Sequence, residues 1–133
     1  MSLTEERSKK CILAVDDSAI VLTRISGILR NEYDVITINS GVRALRYLEQ
    51  ERPDLILLDI RMVQQDGIET LREIRKMEEY KDIPVIMLTG VENKDSVLES
   101  AKLGICDYLL KPFSAAELLK RIHRAFDQEE NER

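Results

Sequence analysis

The stretch Asp54-Leu55-Ile56-Leu57-Leu58-Asp59 decides the fold of this chain. Pro53 precedes it, and its four aliphatic residues lead directly into the carboxylate of Asp59. A short apolar run bounded by proline and charge is typical of a strand that is buried on both faces of a parallel sheet. In open α/β sheets, ligands bind beyond the carboxyl ends of the strands. Asp59 is therefore placed for chemistry rather than for packing.

Four further short, mostly apolar runs resemble the first one. They cover residues 12–15, 35–38, 85–88 and 108–110. Three of them end in polar side chains, which are Asp16 and Asp17, Thr89, and Lys111. The segments between the runs carry apolar residues at helical spacing, among them Ile20, Leu22, Ile25 and Leu29 in the first helix and Val97, Leu98 and Ala101 in the fourth. Ser18, Ser40 and Ser114 can cap helices, and Gly104 is predicted to end the fourth helix.

Strict alternation of five strands with five helices predicts a parallel sheet with helices on both faces. For a chain of this length, we expect the flavodoxin-like three-layer sandwich with strand order 2-1-3-4-5. The point at which the strand order reverses then lies between strands one and three. Asp16, Asp17 and Asp59 follow those two strands, so the sequence predicts that these three carboxylates meet at one edge of the sheet.

Composition limits the classes of partner. With 20 basic and 25 acidic residues, the net charge of −5 disfavours direct binding to nucleic acid or to an anionic membrane. No apolar run is long enough to span a bilayer. Cys11 and Cys106 lack metal-site spacing, and both are predicted to be buried thiols of a cytoplasmic protein. We expect one domain over residues 9–127, a polar tail over 1–8, and a polar tail or the start of a linker over 128–133.

The polar residues at the strand ends suggest a particular chemistry. Three converging carboxylates repel one another unless a cation neutralises them, and oxygen ligands in a hydrated cleft suit Mg²⁺. Thr89 and Lys111 add a hydroxyl and an ammonium group at the same edge. Together these groups describe a site for a phosphoryl group, in which a carboxylate can be the nucleophile.

Five motifs resemble those of the receiver domain of two-component response regulators. They are Val15-Asp16-Asp17-Ser18, Leu57-Leu58-Asp59-Ile60-Arg61-Met62, Asp66-Gly67, Leu88-Thr89-Gly90 and Asp107-Tyr108-Leu109-Leu110-Lys111-Pro112-Phe113. Each falls at the end of its expected strand or in the loop that follows, in the family's order. The match covers essentially residues 9–127. Each motif alone is weak, but five in the right order are specific.

The resemblance implies that Asp59 accepts a phosphoryl group from a histidine kinase or a histidine phosphotransfer protein. Mg²⁺, with Mn²⁺ as an alternative ion, would be held by the side chains of Asp16, Asp17 and Asp59 and the backbone carbonyl of Arg61. Thr89 and Lys111 would contact the phosphoryl group. By the same resemblance, the Lys111-Pro112 peptide is expected to be cis, which costs an X-Pro bond only about 0.5–1 kcal/mol.

The resemblance also implies how the signal leaves the site. Tyr108, coupled to Thr89, would switch the face made by helix four, strand five and helix five. That face would then control an output domain or a downstream protein, and a homodimer through it is a further expectation. Asp107, Glu117 and Arg121 partly resemble the charged set on the dimer face of winged-helix response regulators.

The loop after Asp59 departs from the family pattern. It reads Met62-Val63-Gln64-Gln65-Asp66-Gly67 where the family usually has Met-Pro-Gly-Met-Asp-Gly. Gly67 still supplies a residue able to adopt positive φ. In this family, the residues at the positions of Arg61 and Val91 flank the route to the phosphoryl group. Neither is an obvious positioner of attacking water, so we expect slow intrinsic dephosphorylation.

Three alternative functions compete with this interpretation. A haloacid dehalogenase-like aspartyl phosphatase uses similar groups, but its nucleophile opens an Asp-x-Asp motif on an early strand, whereas here the acidic pair comes first. A flavin or nucleotide carrier would need a phosphate loop where Asp16 and Asp17 stand. A receiver-like scaffold that is never phosphorylated would not need the full set of site residues. We therefore expect a signalling phosphoacceptor that catalyses only its own phosphorylation and dephosphorylation, and not an enzyme.

Overall fold

The fold is a five-stranded parallel sheet in the order β2-β1-β3-β4-β5, covered by helices on both faces. A computed structural model of the chain describes residues 9–62, 65–90 and 94–131. The strands are β1 (Cys11–Val15), β2 (Asp34–Ile38), β3 (Leu55–Asp59), β4 (Val85–Thr89) and β5 (Asp107–Leu110). The helices are α1 (Ala19–Leu29), α2 (Gly41–Gln50), α3 (Gly67–Lys76), α4 (Lys94–Lys102) and α5 (Ala115–Asn131), with a 3₁₀ turn at Glu78–Tyr80. The predicted flavodoxin-like architecture and strand order are confirmed.

Polar side chains begin the helices where the sequence predicted. Ser18 and Ser40 accept hydrogen bonds from the backbone N–H groups of Val21 and Arg43 at the starts of α1 and α2. Ser114 accepts one from the N–H of Glu117 at 3.0 Å. Such caps satisfy N–H groups that have no partner within the helix. These three helices therefore start at fixed points just beyond strand ends, at the edge where the site lies.

Two apolar layers hold the sheet. The three central strands β1, β3 and β4 are almost completely buried. One layer contains α1 and α5, with Leu22, Ile25, Leu118 and Ile122 among its buried members. The other contains α2, α3 and α4, with Ala44, Leu48, Leu71 and Ile74. Because β3 lies in the middle of the sheet, its last residue, Asp59, is carried to the edge by a rigid element.

Some apolar residues lie outside the core. Ile20 is 81% exposed because α1 buries the face of Leu22, Ile25 and Leu29 instead. Leu98 in α4 is 65% exposed, and the residue that α4 buries is Ser100. Spacing alone cannot decide which side of a short helix contacts the sheet when apolar residues occur on more than one side.

The cysteine prediction needs correction, and the final helix runs past the expected end of the domain. Cys106 is exposed and Cys11 is half-buried, so neither is the fully buried thiol that we expected. The final helix continues to Asn131, four residues past position 127, so residues 128–131 extend α5, and the domain boundary at 127 with a linker start after it stays a prediction. The predicted tail over 1–8 and the last two residues, 132 and 133, lie outside the described residues.

Candidate functional site

Two aspartates lie side by side at the carboxyl edge of the sheet. Val15 of β1 pairs with Leu58 of β3, so Asp16 and Asp59 emerge next to each other. Asp16 is completely buried and Asp59 is 4% exposed. Asp16 accepts a hydrogen bond from the backbone N–H of Ser18 at 2.9 Å. The two buried carboxylates therefore need a compensating positive charge.

Lys111 supplies that charge from the far side of the sheet. Its Nζ lies 2.7 Å from Oδ2 of Asp16 and 3.1 Å from Oδ1 of Asp59. Its backbone N–H donates to the carbonyl of Thr89 at 2.8 Å, and the Lys111-Pro112 peptide is cis, as the resemblance implied. Burial disfavours the charged ammonium, but hydrogen bonds and the charges of both aspartates outweigh it and raise the pKa of Lys111.

Asp59 is an unusually weak acid in this environment. Burial and the negative charge of Asp16 raise its pKa from 3.8 to about 6. The ammonium of Lys111 and a hydrogen bond from the backbone of Arg61 oppose this shift without cancelling it. Negative charge at the site thus exceeds the positive charge that the side chains provide.

The acidic cluster fits a divalent cation. One carboxylate oxygen from each of Asp16, Asp17 and Asp59 lies within 4.8 Å of the others. Asp17 is exposed, so the cluster opens to solvent on one side. Hard oxygen donors with room for water match the preference of Mg²⁺, and the excess negative charge at Asp59 is what such an ion would offset.

The remaining predicted residues lie around this cluster. Thr89 ends β4, is buried, and donates from Oγ1 to the carbonyl of Gly90 at 3.1 Å. Tyr108 lies on the neighbouring strand β5, opposite Met87, with 44% of its surface exposed. Arg61 is exposed two residues beyond Asp59. The structure thus brings Thr89 and Arg61 to the predicted edge, whereas Tyr108 lies within β5, two residues before its end. Val63, Gln64 and Val91, on which the loop and dephosphorylation predictions depend, lie outside the described residues.

Gly67 has a function that the sequence analysis missed. Its φ is not positive, since Gly104 is the described glycine with positive φ. Instead, a Cβ at position 67 would lie 2.1 Å from the carbonyl oxygen of Asp59. The N–H of Gly67 donates to the carbonyl of Ile60 at 2.7 Å. Glycine is therefore required because the start of α3 packs directly on the backbone that carries Asp59.

An open cavity beside the cluster was also missed. It has a volume of about 300 Å³ and is lined by Asp17, Asn39, Arg43, Met62 and Gln65, among others. The residues come from three loops and from the first turn of α2, and no motif in the sequence links them. The cavity shows that solvent reaches the cluster from the side of α2.

The charged residues predicted on β5 and α5 form one cluster. The guanidinium of Arg121 lies 2.7 Å from Asp107 and 2.8 Å from Glu117. It also donates to the carbonyl of Tyr108 at 2.9 Å. In this chain these charges therefore pair with one another, and they fix α5 against β5.

The fold and the site together define a class of protein. A flavodoxin-like sheet of order 2-1-3-4-5, with an acidic cleft at the ends of β1 and β3 and a lysine after β5, is a CheY-like architecture. Residues 12–123 match the family described as the response regulator receiver domain. The chain therefore belongs to the receiver-domain family of two-component response regulators.

Known proteins of this family resemble the chain throughout the domain. It is 38% identical over 114 residues to the alkaline phosphatase synthesis transcriptional regulatory protein PhoP of Bacillus subtilis, covering 85% of this chain and 47% of PhoP. It is 41% identical over 119 residues to the probable transcriptional regulator ycf27 of Guillardia theta, covering 86% of this chain and 44% of that protein. The chain thus spans about half the length of these curated relatives or less.

Solved structures show the same fold. Chemotaxis protein CheY4 of Vibrio cholerae superposes with a TM-score of 0.84 at 32% identity, over 88% of this chain and 98% of CheY4. The receiver domain of sensor histidine kinase PA1611 of Pseudomonas aeruginosa has a TM-score of 0.80 at 36% identity, over 87% of this chain and 96% of that domain. The PA1611 structure contains a magnesium ion coordinated in the active site cleft. Within the described part of the present chain, no helix has the length and apolarity needed to cross a bilayer.

Proposed function

We propose that this receiver domain accepts a phosphoryl group on Asp59 from a phosphohistidine of a partner protein. The observation that carries the proposal is the contact of one lysine, Lys111, with two buried aspartates, Asp16 and Asp59. A structural ion pair would need only one carboxylate. A second buried acid with a raised pKa is not needed for such a pair. Strongly shifted pKa values of this kind are typical of functional sites.

The reaction balances with the groups at hand. A carboxylate oxygen of Asp59 attacks phosphorus, the P–N bond to the donor imidazole breaks, and the imidazole nitrogen keeps the electron pair and takes a proton from solvent, which reaches the site on the side of the exposed Asp17. The product is an acyl phosphate on Asp59. Lys111 offsets the added negative charge, and the hydroxyl of Thr89 donates to a phosphoryl oxygen. Asp59 must be ionised to act as the nucleophile.

The residues that would hold Mg²⁺ are Asp16, Asp17 and Asp59, together with the backbone carbonyl of Arg61, and Mn²⁺ is the alternative ion. When bound, the ion supplies positive charge for the phosphoryl oxygens. The acidic cluster and the magnesium in the cleft of the PA1611 receiver domain support this assignment. Asp17, as the exposed member, would lie on the side from which the donor approaches.

Output is proposed to pass through the face formed by α4, β5 and α5. Tyr108 and Leu110 on this face are exposed, which supports a role of Tyr108 with Thr89 in switching and of the face in contacts with an output domain, a downstream protein or a second copy. Several relatives are named as transcriptional regulators, so we propose a regulatory output and a cytoplasmic location.

A signalling function is favoured over an enzymatic one. In haloacid dehalogenase-like phosphatases, the nucleophile lies on an early strand and the acidic pair follows the lysine. Here the acidic pair follows β1 and the candidate nucleophile ends β3. We therefore propose that the domain turns over only its own phosphoryl group and is not a scaffold that stays unphosphorylated.

Intact-mass spectrometry after incubation with acetyl phosphate and Mg²⁺ tests the proposal. We expect the mass of one added phosphoryl group on the native chain and none on Asp59→Asn. Asp66→Asn is the matched control, since asparagine can still cap α3 and the label should be retained. No gain on the native chain, or a gain that survives Asp59→Asn, would refute the proposal. Sustained hydrolysis of p-nitrophenyl phosphate would favour the phosphatase.

A further inference from the structure

One arginine joins three chain segments at the edge of the sheet opposite the acidic cleft. Arg75, near the end of α3, donates from Nε to the carbonyl of Leu103 at 3.0 Å. Its two terminal nitrogens donate to the carbonyls of Gly104 and Tyr80, each at 2.8 Å. All the acceptors are backbone atoms. The position of Arg75 therefore determines where the backbone after α4 lies.

The acceptors at the end of α4 are groups that need a donor. The last carbonyls of a helix have no partner within it and carry its negative dipole end. Gly104 turns the chain out of α4 with a φ of +84°, and its carbonyl then faces Arg75. A planar guanidinium presents its donors on three nitrogens in a rigid fork and so spans oxygens that lie apart, whereas an ammonium carries its donors on one nitrogen. Burial lowers the pKa of Arg75, consistent with loss of water around its guanidinium.

Tyr80 extends this junction to α2. Its carbonyl accepts from Arg75, and its buried hydroxyl lies 2.7 Å from the carbonyls of both Leu48 and Glu51. The C-terminal ends of α2, α3 and α4 are therefore linked by backbone-directed hydrogen bonds at one edge of the sheet. These three helices form one of the two layers.

Elsewhere α4 contributes little to the core, and its Val97 packs there only partly buried. Ser100 is its buried residue, and the hydroxyl of Ser100 donates within the helix to the carbonyl of Ser96. A buried serine contributes far less than the roughly 1.5–3 kcal/mol of a buried leucine. Leu98 is 65% exposed, and the ion pair between Arg72 and Glu99 is solvent-accessible. Exposed pairs of this kind contribute about 0–1 kcal/mol.

We propose that Arg75 is the hinge anchor of α4. Two of the three hydrogen bonds, to the carbonyls of Leu103 and Gly104, hold the backbone directly after the last residue of α4, while the N-terminal part of the helix can leave the surface of β4 without breaking them. The N-terminal turns of α4 then leave the sheet and unwind, since so short a helix is marginal without packing, while the turn before position 104 stays in place. This device belongs to the unphosphorylated chain and does not depend on the function proposed above, so its test uses no phosphoryl donor.

Amide hydrogen exchange measured residue by residue by NMR tests this hinge. A helix held only by its own hydrogen bonds frays at both ends, so its middle is the most protected part. In the native chain we expect the C-terminal end of α4 to be the best protected part instead, so that amides 101–104 exchange more slowly than amides 98–100. In Arg75→Met, which keeps most of the apolar stem, exchange at 101–104 should rise at least about tenfold, because hydrogen bonds from a charged group are lost.

Arg72→Met is the matched control, since it removes the exposed ion pair one turn earlier on α3. It should change α4 exchange by about twofold or less. Arg75→Lys keeps the charge but carries its donors on one nitrogen, so it should lose part of the three contacts and give an intermediate increase in exchange. This variant also covers the case in which Arg75→Met does not fold. The hinge is refuted if the α4 amides of Arg75→Lys exchange as slowly as those of the native chain, or if Arg72→Met raises α4 exchange as much as the Arg75 variants do. It is also refuted if exchange in the β-sheet rises as much as exchange in α4, since that would indicate global destabilisation.

Discussion

The Nζ of Lys111 lies 2.7 Å from Oδ2 of Asp16, although β3 and β4 separate the two strands that these residues follow. The long lysine side chain therefore passes over the carboxyl ends of the central strands and also meets Asp59 at 3.1 Å. A buried ion pair adds little stability compared with an apolar pair, but removing one partner is costly. Stability of the metal-free chain thus depends on Lys111.

Replacing Lys111 with methionine should destabilise the metal-free chain. Asp16 and Asp59 would then repel each other in a buried site without a cation, at a cost on the order of 3 kcal/mol in the free energy of unfolding. Urea unfolding followed by circular dichroism in EDTA measures the change. Lys120→Met, at an exposed position on α5, should stay within about 0.5 kcal/mol of the native chain. Equal effects of the two variants would mean that Lys111 has no special electrostatic role.

Replacing Asp59 with asparagine should stabilise the metal-free chain near neutral pH. The pKa of Asp59 is raised from 3.8 to about 6, so the folded state binds its proton more tightly than the unfolded state. Ionisation therefore costs folding free energy as the pH rises from about 4 to 6, and the full cost is present above that range. We expect Asp59→Asn to gain about 2 kcal/mol near pH 7.5 and almost nothing near pH 4.

Urea unfolding in EDTA at both pH values tests this dependence. Glu49→Gln, an exposed substitution on α2, controls for general loss of negative charge and should show no comparable gain. If Asp59→Asn is no more stable than the native chain near pH 7.5, the buried carboxylate is already fully compensated by Lys111.

Most of the fold and nearly all of the site could be predicted because they depend on strands that are buried on both faces of the sheet. Strands such as β3 and β4 must be aliphatic throughout, and a polar residue at their end marks the sheet edge. Once the strand order was inferred, Asp16, Asp59 and Lys111 had to meet there. The contacts of Lys111 with both acids agree with that inference.

What could not be predicted depends on contacts between segments that have no local signal. Ile20 and Leu98 are apolar and at helical spacing, yet they face away from the core. Arg75 looks like any charged residue on a helix surface, because its backbone acceptors are invisible in the sequence. The length of α5 was underestimated because polar residues that can form a helix also resemble a tail.

Replacing Gly67 with alanine should distort the backbone that carries Asp59. The added Cβ would lie 2.1 Å from the carbonyl oxygen of Asp59 and within 3 Å of two further backbone atoms of Asp59 and Ile60, which cannot move aside as a flexible side chain can. We expect a loss of about 1–3 kcal/mol in unfolding free energy, as for other overpacked sites. Gly27→Ala is the control, since no atom lies within 4 Å of a Cβ there. As a helix-interior position in α1, it should gain up to about 1 kcal/mol. A destabilised Gly27→Ala, or an unaffected Gly67→Ala, would contradict the structure.

Magnesium should stabilise the folded chain through the acidic cluster. Its ligands come together only when β1 and β3 are paired, so the ion binds the folded state and raises the free energy of unfolding. At a concentration about one hundred times the dissociation constant, the gain is about 2.7 kcal/mol. Thermal unfolding in MgCl₂ and in EDTA, at matched ionic strength with NaCl, measures it.

Asp17→Asn separates site binding from a general salt effect. Asp17 is the exposed member of the cluster, so its replacement leaves the buried pair and Lys111 in place while it removes one charged ligand. The gain from magnesium should fall by more than half, because a neutral amide binds a hard cation more weakly than a carboxylate. Asp95→Asn, on the exposed surface of α4, should keep the full gain. A gain that is the same in all three proteins would place magnesium somewhere other than the cluster of Asp16, Asp17 and Asp59.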